Sequence, residues 1–130
     1  MRLLLACCLV LIAGCQTNPF EEQPKDLVYK TSAFEDTVRW GDMRNIVRFV
    51  KSEPGESVQT PEELGNVRVT SYEVARPLTE VTKTRWSQTA VIDYVLTDRQ
   101  IVRQLIDHQV WESDDEGKTW FRTNPLPQFR

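Results

Sequence analysis

The pattern of apolar and polar positions changes character three times along the chain. Leu3 to Ala13 are all apolar and follow Met1-Arg2; Gln16 to Asp26 are mostly polar and carry Pro19 and Pro24. Apolar residues then recur at helical spacing: Phe34 and Val38, followed by Met43, Ile46, Val47 and Val50 at i, i+3, i+4 and i+7. That periodicity predicts two amphipathic helices. Ser32 and Glu35 have the S-x-x-E spacing of a capping box, which places the first helix start at Ser32. Gly41 can end that helix and Asp42 can cap the second. Arg44, Arg48 and Lys51 fall on other faces and read as solvated. Residues 52–59, with Pro54 and Gly55, form a loop, and Thr60-Pro61-Glu62-Glu63 predicts one short helical turn ending at Gly65.

From Asn66 onward the period becomes two. Val67 and Val69, then Tyr72 and Val74, predict a strand with a bulge near Ser71, which Pro77 either ends or marks as an edge. Val81 to Thr97 and Ile101 to Ser113 are long β-rich runs joined at Asp98-Arg99. Pairing Leu96 with Ile101 sets Ile92 opposite Leu105, Trp86 opposite Trp111 and Arg85 opposite Glu112. On the other face Val95 meets Val102, Val91 meets Ile106 and Thr89 meets His108. A slip of one residue would exchange the faces of one strand. Both faces are partly apolar; one should pack on the helices, and the other must curl inward, lie under a loop or serve as a partner surface. The expected fold class is therefore α+β, with N-terminal helices packed on a curved antiparallel sheet of about four strands.

The N-terminal pattern of basic start, apolar run and small residues has the layout of an export signal. Its apolar run is shorter than the ~20 residues a spanning helix needs. Ile12-Ala13-Gly14-Cys15 resembles the lipobox of bacterial lipoproteins. The resemblance implies cleavage before Cys15, a diacylglyceryl thioether on its sulfur and a fatty acyl group on its amine. Gln16, rather than Asp, follows the Cys, which in that family points to the outer membrane, periplasmic side. The chain then divides into a signal peptide (1–14), a lipidated Cys with a flexible tether (15–26) and one α+β domain (27–130). Each buried methylene contributes ~0.8 kcal/mol, so several acyl chains hold a protein far more firmly than one.

Composition narrows the classes further. Cys7 and Cys8 leave with the signal and Cys15 is used by the lipid, so no thiol remains for a disulfide or a thiolate metal site. The 16 Lys and Arg less Arg2 leave 15, against 19 Asp and Glu, a formal charge of −4. An acidic chain with interspersed charges gives no footing for nucleic acid or for anionic head groups. The expected partners are the bilayer through acylated Cys15, and a second copy or an envelope protein through the open sheet face.

Ser113-Asp114-Asp115-Glu116-Gly117-Lys118-Thr119-Trp120 resembles the Asp-box of sialidases and other β-propeller proteins. There the Ser and Asp side chains bond the turn backbone, Gly takes a positive φ and Trp packs beneath. The motif carries no catalytic residue, and a propeller needs far more chain. It predicts a tight hairpin into a last strand, Lys118 to Thr123, before a tail whose Leu126 and Phe129 pack on the core. The order of helix, Arg39-Trp40-Gly41-Asp42, helix and Trp-rich antiparallel strands resembles the nuclear transport factor two-like (cystatin-like) fold. The whole chain is similar to small lipoproteins of Gram-negative bacteria. The fold resemblance implies a curved sheet over helices, a conical pocket and dimerisation through the open face, but it does not carry function.

His108 is the sole histidine, so a zinc site lacks ligands. As a general base it would need a carboxylate partner, Asp93 or Asp107; otherwise it is a half-buried strand residue bonded to a neighbour. Asp93 and His108 are the candidate pocket pair, and the register sets Tyr94 on the face opposite Asp93, against a proton-transfer set. Trp40, Trp86, Trp111 and Trp120 read as core and hairpin packing rather than a glycan platform. Asp114, Asp115 and Glu116 lack the spacing of a calcium loop. The expectation is a non-enzymatic lipoprotein without cofactor, acting as an interaction module of the envelope. The alternative is a small apolar ligand-binding or weak isomerase- or hydrolase-type pocket.

Overall fold

The computed structural model describes residues 22–130; the lipobox with Cys15 and the tether through residue 21 lie outside the described residues. A helix, α1 (Lys25–Trp40), is followed by two 3₁₀ helices, Met43–Phe49 and Glu62–Asn66. Four strands follow, β1 (Val67–Thr82), β2 (Arg85–Leu96), β3 (Ile101–Glu112) and β4 (Phe121–Arg122), in the antiparallel order β1-β2-β3-β4. The fold is α+β, with the helices packed on one face of an open sheet.

α1 buries Leu27, Thr31, Phe34 and Val38, an i, i+4, i+7, i+11 stripe. It starts at Lys25, seven residues before the capping box predicted and inside the segment assigned to the tether. Pro24 provides the start: its fixed φ suits a helix entrance, and its carbonyl accepts from Val28 N–H at 3.0 Å. Gly41 ends α1 by donating its N–H to the Asp36 and Thr37 carbonyls, and an added Cβ there would meet the Thr37 backbone at 3.0 Å. Asp42 caps the next element as expected, accepting from Arg44 N–H at 3.0 Å. That element is a 3₁₀ rather than an α-helix. Residues i and i+3 eclipse in this geometry, which aligns Met43, Ile46 and the partly buried Phe49 on one side.

β1 runs through Pro77 instead of ending there, because β1 is an edge strand and Pro at an edge breaks no ladder bond. Its pairing with β2 shifts register between Val69 and Ser71, where the bulge was expected, and at three later points. The hairpin turn falls at Lys83-Thr84, so Val81 and Thr82 belong to β1 rather than to β2. The β2–β3 register is the one the letters dictate, from Leu96↔Ile101 through Trp86↔Trp111 to Arg85↔Glu112, without a bulge. Four residues, Thr97 to Gln100, make that turn, with Gln100 at φ 54° in the left-handed region donating to Leu96 O at 2.7 Å. β4 is only two residues long, shorter than the strand predicted over 118–123.

The core lies between α1 and the sheet. Phe34, Phe49 and Trp111 meet edge to face with ring centroids 5.3–6.4 Å apart. Burying a Phe-sized side chain contributes ~2–3 kcal/mol, so this trio is a main source of cohesion. Trp86 and Trp120 are also buried, whereas Trp40 is 75% exposed and stacks under the Arg39 guanidinium at 4.9 Å. Phe129 returns the tail to the core, its ring 5.0 Å from that of Tyr94.

Candidate functional site

The alternation of β2 separates two environments. Trp86, Gln88, Ala90, Ile92, Tyr94 and Leu96 face the helices and are buried; the intervening residues face outward and are half-buried. The same alternation continues in β3, where Asp107, Gln109 and Trp111 are buried and Val102, Gln104, Ile106 and His108 are exposed.

On the helix side the strands carry a buried polar cluster. Arg122 and Asp107, both about 1% exposed, form a two-point ion pair, Nη1 to Oδ2 at 2.8 Å and Nη2 to Oδ1 at 2.6 Å. Arg122 also donates to the carbonyls of Pro125 (2.8 Å) and Asn124 (3.3 Å) and lies 5.6 Å above the Phe34 ring. Gln109 links the rest: its amide donates to Asp107 Oδ2 (3.0 Å) and Tyr72 Oη (2.8 Å), and its carbonyl accepts from Trp111 Nε1 (3.1 Å). Burial pushes the Tyr72 hydroxyl up to about 12 despite the Gln109 hydrogen bond. This cluster satisfies itself and anchors the tail under the sheet. Trp86 Nε1 is the exception, buried without a partner among the described residues.

The outward face is different. Val91 and Ile106 sit side by side, as do Val95 and Val102, with Arg68, Glu73 and Arg76 of β1 along the border. Val102 is 75% exposed and Ile106 61%. Asp93 and His108 share this face but are not brought together. Asp93 pairs across from Gln104 and accepts from its amide at 2.8 Å; His108 is exposed, with Nδ1 3.1 Å from Thr89 Oγ1. Four residues of strand separate their rows, roughly 13 Å. Asp107 is no partner for His108 either, since its side chain lies on the helix-covered face and is paired with Arg122.

Among the described residues, clefts that lie elsewhere are not lined by Asp93 or His108. One of about 520 Å³ lies where the second 3₁₀ helix, the β2–β3 turn and the tail meet, and Glu62, Glu63, Asp98, Arg99, Arg103 and Arg130 give it mixed charge. One of about 350 Å³ lies against residues 41–44 and Leu64, and one of about 210 Å³ between α1 and β1 against Glu35, Val74 and Gln88. No group of three or more metal-ligating side chains occurs among the described residues, and none of their helices is long and apolar enough to cross a membrane.

The turn after β3 is held by its own side chains. Ser113 Oγ accepts from Gly117 N–H (2.8 Å), and Asp115 Oδ1 accepts from the N–H groups of Lys118 (3.1 Å) and Thr119 (2.8 Å). Thr119 Oγ1 donates to Asp115 Oδ2 at 2.6 Å, and with the Thr119 amide it holds the Asp115 carboxyl down to about 2. Gly117 has φ 88°, and Trp120 lies beneath with Nε1 bonded to Gly117 O at 3.0 Å. Asp114 is committed to Lys51 at 2.8 Å. The turn is thus a structural clasp between β3 and β4. The buried Asp107–Arg122 pair is the feature sequence reasoning missed; its only signal was that the β2–β3 register puts Asp107 opposite buried Ala90.

Comparison with known protein families, with curated proteins and with solved structures finds no match to this chain.

Proposed function

We propose that this protein is a lipid-anchored, periplasm-facing lipoprotein of the outer membrane that acts without catalysis, as an interaction module of the cell envelope. The observation that carries the proposal is the division of the sheet. The helix-covered face is filled and hydrogen-bonded, while the opposite face leaves an apolar stripe of Val91, Val95, Val102 and Ile106 uncovered among the described residues. Contiguous apolar surface bordered by charge is the ordinary make-up of a protein contact. The Ile12-Ala13-Gly14-Cys15 sequence supports the anchor, and the bonded state of Asp93 and His108 on separate rows supports a non-catalytic role.

Photo-crosslinking in intact envelopes tests this reading. A photoreactive side chain at Val95, on the open face, should capture a discrete neighbour. The same group at Tyr29, 78% exposed on α1, should not. Equal or absent capture from both positions would overturn the assignment of the open face as the contact surface.

A further inference from the structure

The two edges of the sheet are built differently. β1 has the features that keep an edge from pairing: four register shifts, Pro77, and charged residues along its length. β3 has neither register shifts nor proline over its first half. Its pairing with β2 is regular throughout, and Ile101 to Ile106 contain a single charge, Arg103.

Which backbone groups face outward can be read from the second half of β3. Val110 donates its N–H to Asn124 Oδ1 (2.9 Å) and accepts from Thr123 N–H (3.0 Å), and the His108 carbonyl accepts from Asn124 Nδ2. Ser113, by contrast, donates inward to Thr84 O at 3.0 Å. Even-numbered residues of this strand therefore turn their N–H and C=O away from β2. With no bulge to change the alternation, Val102, Gln104 and Ile106 do the same. β4 and Asn124 cover the edge only from His108 onward, and no described residue bonds the outward groups of those three. Val102, Arg103, Gln104 and Ile106 are all exposed.

We infer that this half-strand pairs antiparallel with its counterpart in a second copy of the chain, about a two-fold axis at Gln104. The segment is its own complement. Gln104 would face Gln104 of the other copy, and Val102 would face Ile106 on both sides of the axis. The outward N–H and C=O groups of all three would be satisfied, and no like charges would stand directly opposite. The two open faces would join into one, with Val95, Val102 and the other copy's Ile106 and Val91 in a continuous apolar row. An axis normal to the sheet keeps both copies of α1 on the same side, as two chains tethered to one bilayer require. The strand contact is small beside the ~800 Å² per partner of a stable dimer, so confinement at a membrane would populate it. The edge geometry itself does not depend on the lipid anchor.

The test is disulfide trapping of the full chain in lipid vesicles. Directly opposed residues of a hydrogen-bonded antiparallel pair have Cα atoms ~5.5 Å apart, within disulfide range. Gln104→Cys should yield a covalent dimer under mild oxidation, linked through position 104 in the digested peptides. Asp93→Cys, on the same face but one strand inward, should not. Adding Val102→Lys to Gln104→Cys should reduce the dimer at least tenfold. Trapping at position 93 in preference to 104, or insensitivity to Val102→Lys, would overturn edge pairing, as would linkage to a different protein in whole envelopes. Trapping at 104 without capture at Val95 would sustain the edge and sink the broader face; trapping at 104 in concentrated unlipidated chain carrying Cys15→Ser would sustain it without the anchor.

Discussion

Replacing Arg122 by Met removes one half of the most buried charge pair in the domain. The guanidinium makes two short bonds to Asp107 and two to tail carbonyls, and both side chains are about 1% exposed. After the change Asp107 keeps only the Gln109 amide at 3.0 Å among its side-chain partners. Breaking a buried pair in this way costs ~3–5 kcal/mol, because a desolvated charge is left without its counter-ion. A domain of this size has a total stability of roughly 5–15 kcal/mol, and the loss corresponds to about 12–20 °C in Tm. Arg122→Lys should recover little, since a point charge cannot span both carboxylate oxygens. Asp107→Leu combined with Arg122→Met should recover at least ~2 kcal/mol of the single-variant loss, because no charge is then stranded. Urea unfolding followed by tryptophan fluorescence, on chains also carrying Cys15→Ser to exclude acylation, gives the values for these three variants, for Asp107→Leu alone and for the otherwise unchanged domain. A cost below ~1 kcal/mol for Arg122→Met, or strictly additive losses in the double variant, would refute the view that this pair holds tail, β3 and β4 together.

Tyr72 keeps its proton in the folded chain up to about pH 12, above the ordinary phenol value of 10.0, so its contribution is complete below pH 10 and is lost as pH rises toward 12. Tyr72→Phe should remove that part of the alkaline destabilisation, ~2–3 kcal/mol by difference, together with one phenolate transition near pH 12 in the ultraviolet titration. Gly117→Ala should cost about 1 kcal/mol through its positive φ alone, because its added Cβ meets only Trp120 at an ordinary 3.7 Å; thermal unfolding measures it. Asp115, held down to about 2, supports the clasp fully above pH 3.8 and loses that support as pH falls through 2. Amide exchange at Lys118 and Thr119 should therefore accelerate in that window, and Asp115→Ala should show the faster exchange already at neutral pH.

Legibility of the fold followed the strength of local constraint. The β2–β3 register was readable because two tryptophans, an Arg–Glu pair and four aliphatic pairs agree on one alignment. The clasp at 113–120 was readable because Ser, Asp, Gly and Trp each have one geometric task there. The start of α1 was misplaced because Ser32-x-x-Glu35 matches a cap by spacing, while tertiary burial of Leu27 and Thr31 draws the helix back to Pro24. The Lys83-Thr84 turn has no Gly or Asn to announce it, so β1 and β2 blurred together. Asp107 and Arg122 were unreadable as a pair because the letters of a charged residue do not say whether it is solvated; only the tail folding under β3 decides that. For the candidate pocket, Asp93 and His108 were placed correctly on one face, but a common face does not bring two side chains within reach.

The fate of residue 15 decides between a lipid-anchored and an unanchored chain, and mass spectrometry of the chain extracted from the envelope reads it directly. The predicted product begins at Cys15, lacks residues 1–14, and carries a diacylglyceryl thioether with an N-acyl group. A chain with Met1 intact, or with an unmodified Cys15 sulfur in soluble material, would contradict the lipoprotein reading and leave only the fold and its edge to explain.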